Sequence, residues 1–166
     1  VLTTRHHDGF CLWDSQVSDF TSVKAAAAKR DFIAEYVEAC RKAGMRIGFY
    51  YSLLDWRWPE YWDGPSKNPE GWNKFREYVH AQVRELMTNY GKIDILWYDG
   101  AWPYTAEDWQ SKRLNEMVRS LQPDIIMNNR SGLPEDFETP EQHIQYFDRP
   151  WESCMTISEA WWGYHA

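Results

Sequence analysis

The stretch Ile93-Asp94-Ile95-Leu96-Trp97-Tyr98-Asp99-Gly100 decides how this chain folds. Its apolar residues form a short run bounded by Gly91 and Gly100, a pattern typical of a strand that is covered on both faces. In α/β proteins with a parallel sheet, the residue at the carboxyl end of such a strand is delivered into the functional site. We therefore predict a buried strand over 93–99 that places Asp99 in a site.

Strands and helices alternate along the rest of the chain. The predicted strands lie at 1–4, 47–51, 93–99 and 125–127, with a further short strand near 144–147. Predicted helices begin after a cap at Asp31, span about 73–90 and follow a capping box of Thr105 and Asp108. Because no hairpin signal joins the strands, the sheet should be parallel.

The connections between these elements are of two kinds. Links from helix to strand are about two to three residues long, whereas links from strand to helix are long, aromatic and charged. This asymmetry predicts an α/β fold of the (β/α)8 TIM-barrel type with its site on the carboxyl face. About four to five βα units are present, so the barrel is predicted to be incomplete. A doubly wound sheet is the alternative, but no glycine-rich phosphate turn follows any strand.

Composition excludes some partners and favours another. The net charge of −7 argues against a nucleic-acid partner, and no apolar run approaches the length of a membrane span. The 11 Trp and 10 Tyr in 166 residues favour carbohydrate, because aromatic rings stack on sugars, although an aromatic core would explain them equally well. The three cysteines have no metal-ligand spacing.

Polar side chains stand at the ends of four predicted strands. They are His6, His7 and Asp8 after the first, Tyr50 and Tyr51 at the second, Asp99 at the third, and Asn128, Asn129 and Arg130 at the fourth. The ends of parallel strands converge at one face of a barrel. We therefore predict one polar pocket lined with aromatic residues.

Seven motifs along the chain resemble those of one enzyme family. They are His6-His7-Asp8-Gly9-Phe10, Gly48-Phe49-Tyr50-Tyr51-Ser52, Leu96-Trp97-Tyr98-Asp99-Gly100, Asn129-Arg130, Thr139-Pro140-Glu141, Trp151-Glu152 and Trp162-Gly163-Tyr164. In this order the chain resembles the catalytic barrel of an α-L-fucosidase of glycoside hydrolase family 29. The resemblance implies that residues 1–166 are one partial barrel domain. It also implies that N-terminal and C-terminal barrel units and a C-terminal β-sandwich are absent from this sequence.

The resemblance implies a retaining glycoside hydrolase that releases α-L-fucose by double displacement without a cofactor. Asp99 would be the nucleophile and Glu141 the acid/base. Because the family varies the position of its acid/base, four other carboxyls stay open as candidates: Asp136, Glu138, Glu152 and Glu159.

Five further residues match sugar-binding positions of the family. They are His6, His7, Tyr50, Arg130 and Trp162. Plainer alternatives stay open for all but Tyr50: one of the two histidines could be a core residue, Trp162 could be a core tryptophan, and Arg130 could pair with Asp136 or Glu138. A metal site at the histidine pair is disfavoured, because adjacent residues on a strand point to opposite faces unless the strand has already ended.

The expected partner is a fucosylated oligosaccharide or glycoconjugate. The oligomeric state stays open, and a homo-oligomer is compatible with the sequence. The resemblance favours an extracellular, periplasmic or lysosomal location over a cytoplasmic one. Two other functions compete with the hydrolase: a non-catalytic fucose-binding module or inactive fragment, and a metal-dependent hydrolase on the same barrel.

Overall fold

A computed structural model of the chain describes residues 1–158 and 162–163. Within these residues, strands and helices follow in the order β1 (Leu2–Arg5), α1 (Phe32–Lys42), β2 (Gly48–Ser52), α2 (Pro59–Lys67), α3 (Pro69–Asn89), β3 (Ile95–Asp99), α4 (Ser111–Leu121) and β4 (Ile126–Met127), and a 3-10 turn follows at Asn129–Ser131. The predicted alternation of strand and helix is confirmed.

None of the described helices is long and apolar enough to cross a membrane.

The four strands form one parallel sheet in the order β1-β2-β3-β4. Each strand pairs with the strand that precedes it in the chain, and Tyr50 faces Trp97 across the β2–β3 pair. A doubly wound sheet reverses its strand order at a switch point, whereas a barrel adds strands in one direction. The described strands show no such reversal, so they form an arc of a (β/α) barrel.

One face of the sheet packs in the core and the other faces the cavity, because successive side chains on a strand point to opposite sides. On β3, Leu96 and Tyr98 are fully buried against the helices, in the hydrophobic core. On α3, Val79, Val83 and Leu86 are fully buried in the same core. The alternate residues of β3 face the other side of the sheet, which is where the cavity described below lies.

Local signals start and stop α1 as predicted. The Oδ1 atom of Asp31 accepts a hydrogen bond of 2.9 Å from the backbone N–H of Ala34, which caps the helix. Gly44 follows the helix with a φ of +67°, a left-handed conformation that glycine adopts without steric cost.

Three local predictions are wrong. The sequence predicts a long aromatic loop over roughly 52–70, but this segment contains α2, which begins at Pro59 because proline is favoured in the first turn of a helix. The capping box at Thr105 forms its reciprocal bonds with Asp108, but Gln110 adopts a φ of +50° and α4 begins only at Ser111.

The third wrong prediction is the strand near 144–147, where Ile144 is 74% and Tyr146 is 78% exposed. A strand needs a face to bury, and none is available there. Single bridges pair Asn128 with Phe137, Glu138 with Trp151 and Glu141 with Cys154. The first bridge places Phe137 beside the end of β4, and the other two pair the beginning of the segment 138–154 with its end.

Candidate active site

The carboxyl ends of the four strands surround a cavity of about 620 Å³. Seven residues that the sequence predicted for the site line this cavity: His6, His7, Tyr50, Asp99, Arg130, Glu141 and Trp162. Four other polar residues of the predicted strand ends, Asp8, Tyr51, Asn128 and Asn129, do not line it; the Tyr51 hydroxyl donates to Gln82 in the core, and Asn128 hydrogen-bonds the backbone of Tyr98. The sequence prediction that the strand ends converge on one polar, aromatic pocket is therefore confirmed. The chemical roles of these residues are proposals, which are taken up below.

Asp99 lies at the centre of the cavity and is only 8% exposed. Its Oδ2 atom accepts a hydrogen bond of 2.7 Å from the hydroxyl of Tyr50, and its Oδ1 atom accepts one of 3.1 Å from Nη1 of Arg130. The Nε2 atom of His7 lies 3.8 Å from Oδ2. These contacts hold the carboxylate in one orientation.

Gly100 allows the chain to turn directly behind Asp99. It has a φ of +71°, and a Cβ atom added to it would lie 2.9 Å from the side chain of Leu54 and 3.1 Å from the hydroxyl of Ser52. The backbone N–H of Leu53 donates a hydrogen bond of 2.8 Å to the carbonyl of Asp99. A larger residue at position 100 would therefore be strained and would displace the turn that supports the carboxylate.

Arg130 joins two carboxylates. The Nη1 atom that contacts Asp99 also donates a hydrogen bond of 2.6 Å to Oε2 of Glu141. Burial alone would lower the pKa of Arg130, but the hydrogen bond to Glu141 and the charge of Asp99 more than offset that effect and raise it. Because one nitrogen contacts both groups, the bonded oxygens of Asp99 and Glu141 lie within about 6 Å of each other.

The alternative in which Arg130 is a structural partner of Asp136 or Glu138 is wrong. Asp136 accepts from Arg119 at 2.9 Å and from the backbone N–H of Met127 at 2.8 Å. Glu138 accepts from Asn129 and forms an ion pair with Arg149. Neither carboxyl lines the cavity, because both are engaged in holding the segment after β4.

Glu152 is the one open alternative that lines the cavity together with Glu141 among the described residues. Its Oε1 atom accepts a hydrogen bond of 2.6 Å from the indole Nε1 of Trp97. The remaining alternative, Glu159, lies outside the residues that the structure describes.

One wall of the cavity is a continuous stack of flat groups. His6 stacks on Tyr50 at 5.3 Å between ring centroids with an interplanar angle of 4°, and Tyr50 stacks on Trp97 at 5.4 Å with an angle of 19°. The guanidinium of Arg130 lies 4.7 Å from the centroid of the Trp97 ring. The stack fixes the side chains that face the cavity and gives it a flat aromatic surface.

Burial controls the charges of the groups around Asp99. Burial, with a further contribution from the neighbouring His6, lowers the pKa of His7 from 6.5 to about 4, so His7 is neutral at pH 7. Burial and the adjacent charge of Asp99 raise the pKa of Tyr50 well above 10.0. Tyr50 is therefore a hydrogen-bond donor at any physiological pH.

His6, His7 and Asp99 could together hold a metal ion, since one ligand atom from each lies within 4.8 Å of the others. The sequence argument against a metal site assumed that both histidines lie on a strand and point to opposite faces. They do not lie on a strand, because β1 ends at Arg5 and both histidines follow it. Two imidazoles and a carboxylate are a donor set typical of zinc. Both oxygens of Asp99 already accept hydrogen bonds, however, which competes with coordination.

Comparison with known proteins identifies the chain. A sequence profile described as Alpha-L-fucosidase matches residues 1–166. The chain belongs to the alpha-L-fucosidase family. The chain is 31% identical to the human tissue alpha-L-fucosidase over 182 residues, which cover 99% of this chain and 37% of that protein.

Solved structures of the alpha-L-fucosidase family share the fold. Isoenzyme 1 from Paenibacillus thiaminolyticus matches 99% of this chain and 46% of its own, with 38% identity and a TM-score of 0.82. A GH29 alpha-L-fucosidase from Bacteroides thetaiotaomicron, a trapped covalent intermediate in complex with 2-fluoro-fucosyl fluoride, matches 98% of this chain and 43% of its own, with 31% identity and a TM-score of 0.87. The chain thus spans less than half of the length of each of these three relatives, and the partial (β/α) barrel is confirmed.

Five cavity residues of this alpha-L-fucosidase family member were not predicted from its sequence: Val1, Thr3, Trp97, Trp102 and Cys154. Trp97 could have been found, because it lies two positions before Asp99 on β3 and so faces the same side. Trp102 and Cys154 are on long loops, where no periodicity reveals direction.

Two tryptophans of the segment between β2 and α2 lie in different surroundings. Trp56 is 54% exposed and its ring lies 5.5 Å from that of His7, beside the cavity. Trp58 packs on Tyr78 at 4.8 Å, against the core.

Proposed function

We propose that this chain belongs to the catalytic domain of a retaining glycoside hydrolase that releases α-L-fucose from fucosylated glycans or glycosides. The observation that supports the proposal best is the pair of carboxylates joined by one nitrogen of Arg130. Retaining glycosidases hold their two carboxyl groups roughly 5–5.5 Å apart. The Arg130 bridge limits the bonded oxygens of Asp99 and Glu141 to a separation of about 6 Å or less, which is compatible with that spacing. Inverting enzymes need a wider gap, because a water molecule must fit between the carboxylate and the sugar.

In the first step, Asp99 attacks the anomeric carbon while Glu141 gives a proton to the departing oxygen. The bond from carbon to the leaving oxygen breaks as the bond to the Asp99 carboxylate forms. In the second step, Glu141 takes a proton from a water molecule, whose oxygen replaces the carboxylate at the same carbon. Two inversions give net retention.

The groups around Asp99 orient it for attack. Tyr50 and Arg130 each donate to a different carboxylate oxygen, so the side chain cannot rotate freely. As the ester to the sugar forms, negative charge leaves the carboxylate, and the proximity of both donors promotes its return as leaving group in the second step.

The sugar is proposed to lie between the stacked wall and Trp162. The histidines offer hydrogen bonds to ring hydroxyls, and Trp162, which lines the cavity and is 60% exposed, offers an apolar face for the methyl group of fucose. One relative forms a covalent intermediate with 2-fluoro-fucosyl fluoride, which supports double displacement by the same arrangement.

The test uses the full-length protein that carries this chain, with an aryl α-L-fucoside as substrate. We expect release of the phenol, with the α-anomer of L-fucose as the first product in a rapid NMR time course. First appearance of the β-anomer would exclude double displacement. Binding of L-fucose in calorimetry without any turnover would instead support the non-catalytic sugar-binding module.

A further inference from the structure

The hydroxyl of Ser52 makes two hydrogen-bond contacts at the base of the cavity, beneath His7. It donates to the carbonyl of Leu54 at 2.9 Å, and it lies 2.7 Å from Nδ1 of His7. Ser52 is fully buried, and within residues 1–158 and 162–163 no other donor reaches the Leu54 carbonyl. Turning the hydroxyl toward His7 would leave that buried carbonyl without a partner, which is unfavourable.

A serine hydroxyl has one proton and can give it to only one acceptor. Because that proton is used by Leu54, the oxygen of Ser52 must accept from His7. The proton of the neutral imidazole therefore sits on Nδ1, and Nε2 has a free lone pair. Nε2 faces the cavity at 3.8 Å from Oδ2 of Asp99.

We propose that Ser52 is a positioning residue that fixes the tautomer of His7, so that the site accepts only a sugar hydroxyl that can donate a hydrogen bond to Nε2. The inference rests on the proposed function, since it concerns how the same cavity selects its sugar. Ser52 does not touch the substrate, but it decides whether Nε2 of His7 accepts or donates the hydrogen bond to the sugar hydroxyl.

Hydrogen bonds other than the Ser52–His7 contact fix the backbone of both residues. Nη1 of the fully buried Arg5 donates to the Ser52 carbonyl at 2.6 Å, and Nη2 of Arg5 pairs with Asp55 at 2.6 Å. The carbonyl of His7 accepts from the backbone N–H of Trp56 at 2.8 Å. Both partners of the Ser52–His7 contact are thus fixed independently of that contact. Burial also keeps His7 neutral at pH 7, so that one of its nitrogens lacks a proton.

The alternative tautomer would be favoured by the cavity itself. A proton on Nε2 would point toward the carboxylate of Asp99, which attracts it electrostatically. Ser52 therefore holds His7 against the preference of its other neighbour. Removal of the serine hydroxyl should let the proton move from Nδ1 to Nε2 of His7, so that Nε2 changes from a hydrogen-bond acceptor to a donor.

The first measurement reads the tautomer directly. The full-length protein is labelled with ¹⁵N at histidine, and the His7 signals are assigned by their loss in His7→Gln. We expect a protonated Nδ1 and an unprotonated Nε2 in the unmodified protein and in Ser52→Thr, which keeps the hydroxyl. Ser52→Ala should shift the proton to Nε2. A protonated Nε2 in the unmodified protein overturns the inference, whether or not the protein hydrolyses fucosides.

A matched control is Ser111→Ala. Ser111 is also fully buried and also donates to a backbone carbonyl, that of Ser131 at 2.6 Å, but it lies on α4 away from His7. The Ser111→Ala variant loses the same kind of hydrogen bond from a buried hydroxyl to a carbonyl, so it reports the effect of lost stability alone. We expect no change in the His7 signals; a shift as large as that of Ser52→Ala would contradict a specific role for Ser52.

The second measurement tests the selection of hydroxyl donors. Fluorine replaces a hydroxyl as a weak acceptor but cannot donate, so the 2-, 3- and 4-deoxyfluoro derivatives of L-fucose are suitable probes. We expect one of them to bind the unmodified protein at least about tenfold more weakly than L-fucose, and the difference to fall below about threefold in Ser52→Ala. Equal binding of all four sugars to the unmodified protein overturns the inference. If L-fucose itself does not bind, the proposed function fails, and the tautomer is still decided by the NMR signals.

Discussion

The phenol of Tyr50 on β2 donates a hydrogen bond of 2.7 Å to Oδ2 of Asp99 on the neighbouring strand. Burial and the charge of Asp99 raise the pKa of this phenol, so it is protonated and donates at physiological pH. A hydrogen bond to a charged group contributes roughly 1.5–3 kcal/mol. We therefore predict that Tyr50→Phe lowers kcat by about 10- to 100-fold with little change in KM.

The next residue supplies the control for that prediction. The hydroxyl of Tyr51 points to the opposite face of β2 and donates 2.8 Å to Gln82 in the core. Tyr51→Phe should lower thermal stability but leave kcat within about twofold. Equal kinetic losses in the two variants would show that the effect of Tyr50→Phe is structural.

Replacing the proposed nucleophile should remove activity and leave room for a substitute. We predict that Asp99→Gly loses about 10⁴-fold in kcat on an aryl α-L-fucoside, and that added azide restores turnover and yields the β-L-fucosyl azide. Asp94→Asn is the control, because Asp94 lies just before β3 and contacts the backbone N–H of Ile47 rather than the cavity. Undiminished activity of Asp99→Gly would refute the nucleophile assignment.

The choice between Glu141 and Glu152 can be settled by leaving-group dependence. An acid/base variant still reacts with substrates whose leaving group needs no proton, and azide then gives a product of retained configuration. We predict this behaviour for Glu141→Ala, with a loss of about 10²–10⁴-fold on poor leaving groups. Glu152→Ala should show losses that do not depend on the leaving group. The reverse pattern would assign the acid/base to Glu152.

Chelation should not reduce activity, although His6, His7 and Asp99 form a group that could hold a metal. In the proposed reaction Asp99 must be free to attack carbon, and a cation bound to it would neutralise its charge. We predict full activity after dialysis against EDTA and inhibition by added Zn²⁺. Activity that EDTA abolishes and a metal restores would favour the metal-dependent hydrolase.

The buried histidine should make stability depend on pH. The unfolded chain protonates His7 with a pKa of 6.5, whereas the folded chain protonates it only near 4. Between these values the unfolded state binds more protons, so stability rises with pH through this window and is lost as the pH falls. We predict that His7→Gln removes roughly 1–3 kcal/mol of the difference in unfolding free energy between pH 7 and pH 4, measured by urea titration. Substitution of the exposed His143 by Gln is the control and should leave the difference unchanged.

The local sequence pattern predicted correctly those features that depend on a single strand or helix. The apolar run before Asp99, the Asp31 cap and the stop at Gly44 each depend on neighbours a few residues away, so they could be recognised without a structure. The site residues at the strand ends followed from one further rule, that parallel strands end at the same face. The strand predicted near 144–147 failed because an apolar pattern does not show whether anything is present to cover it.

The alternation of strands and helices and the position of Asp99 at the end of a buried strand could therefore be predicted from sequence alone. Which carboxyls share the cavity depends on the folded chain, since Asp136 and Glu138 are closer to Arg130 in sequence than Glu141 is but are engaged elsewhere. The stacked aromatic wall and the contact between Ser52 and His7 likewise form only in the folded chain. These features depend on the path of long loops and on contacts between residues far apart in the chain, which no local periodicity encodes.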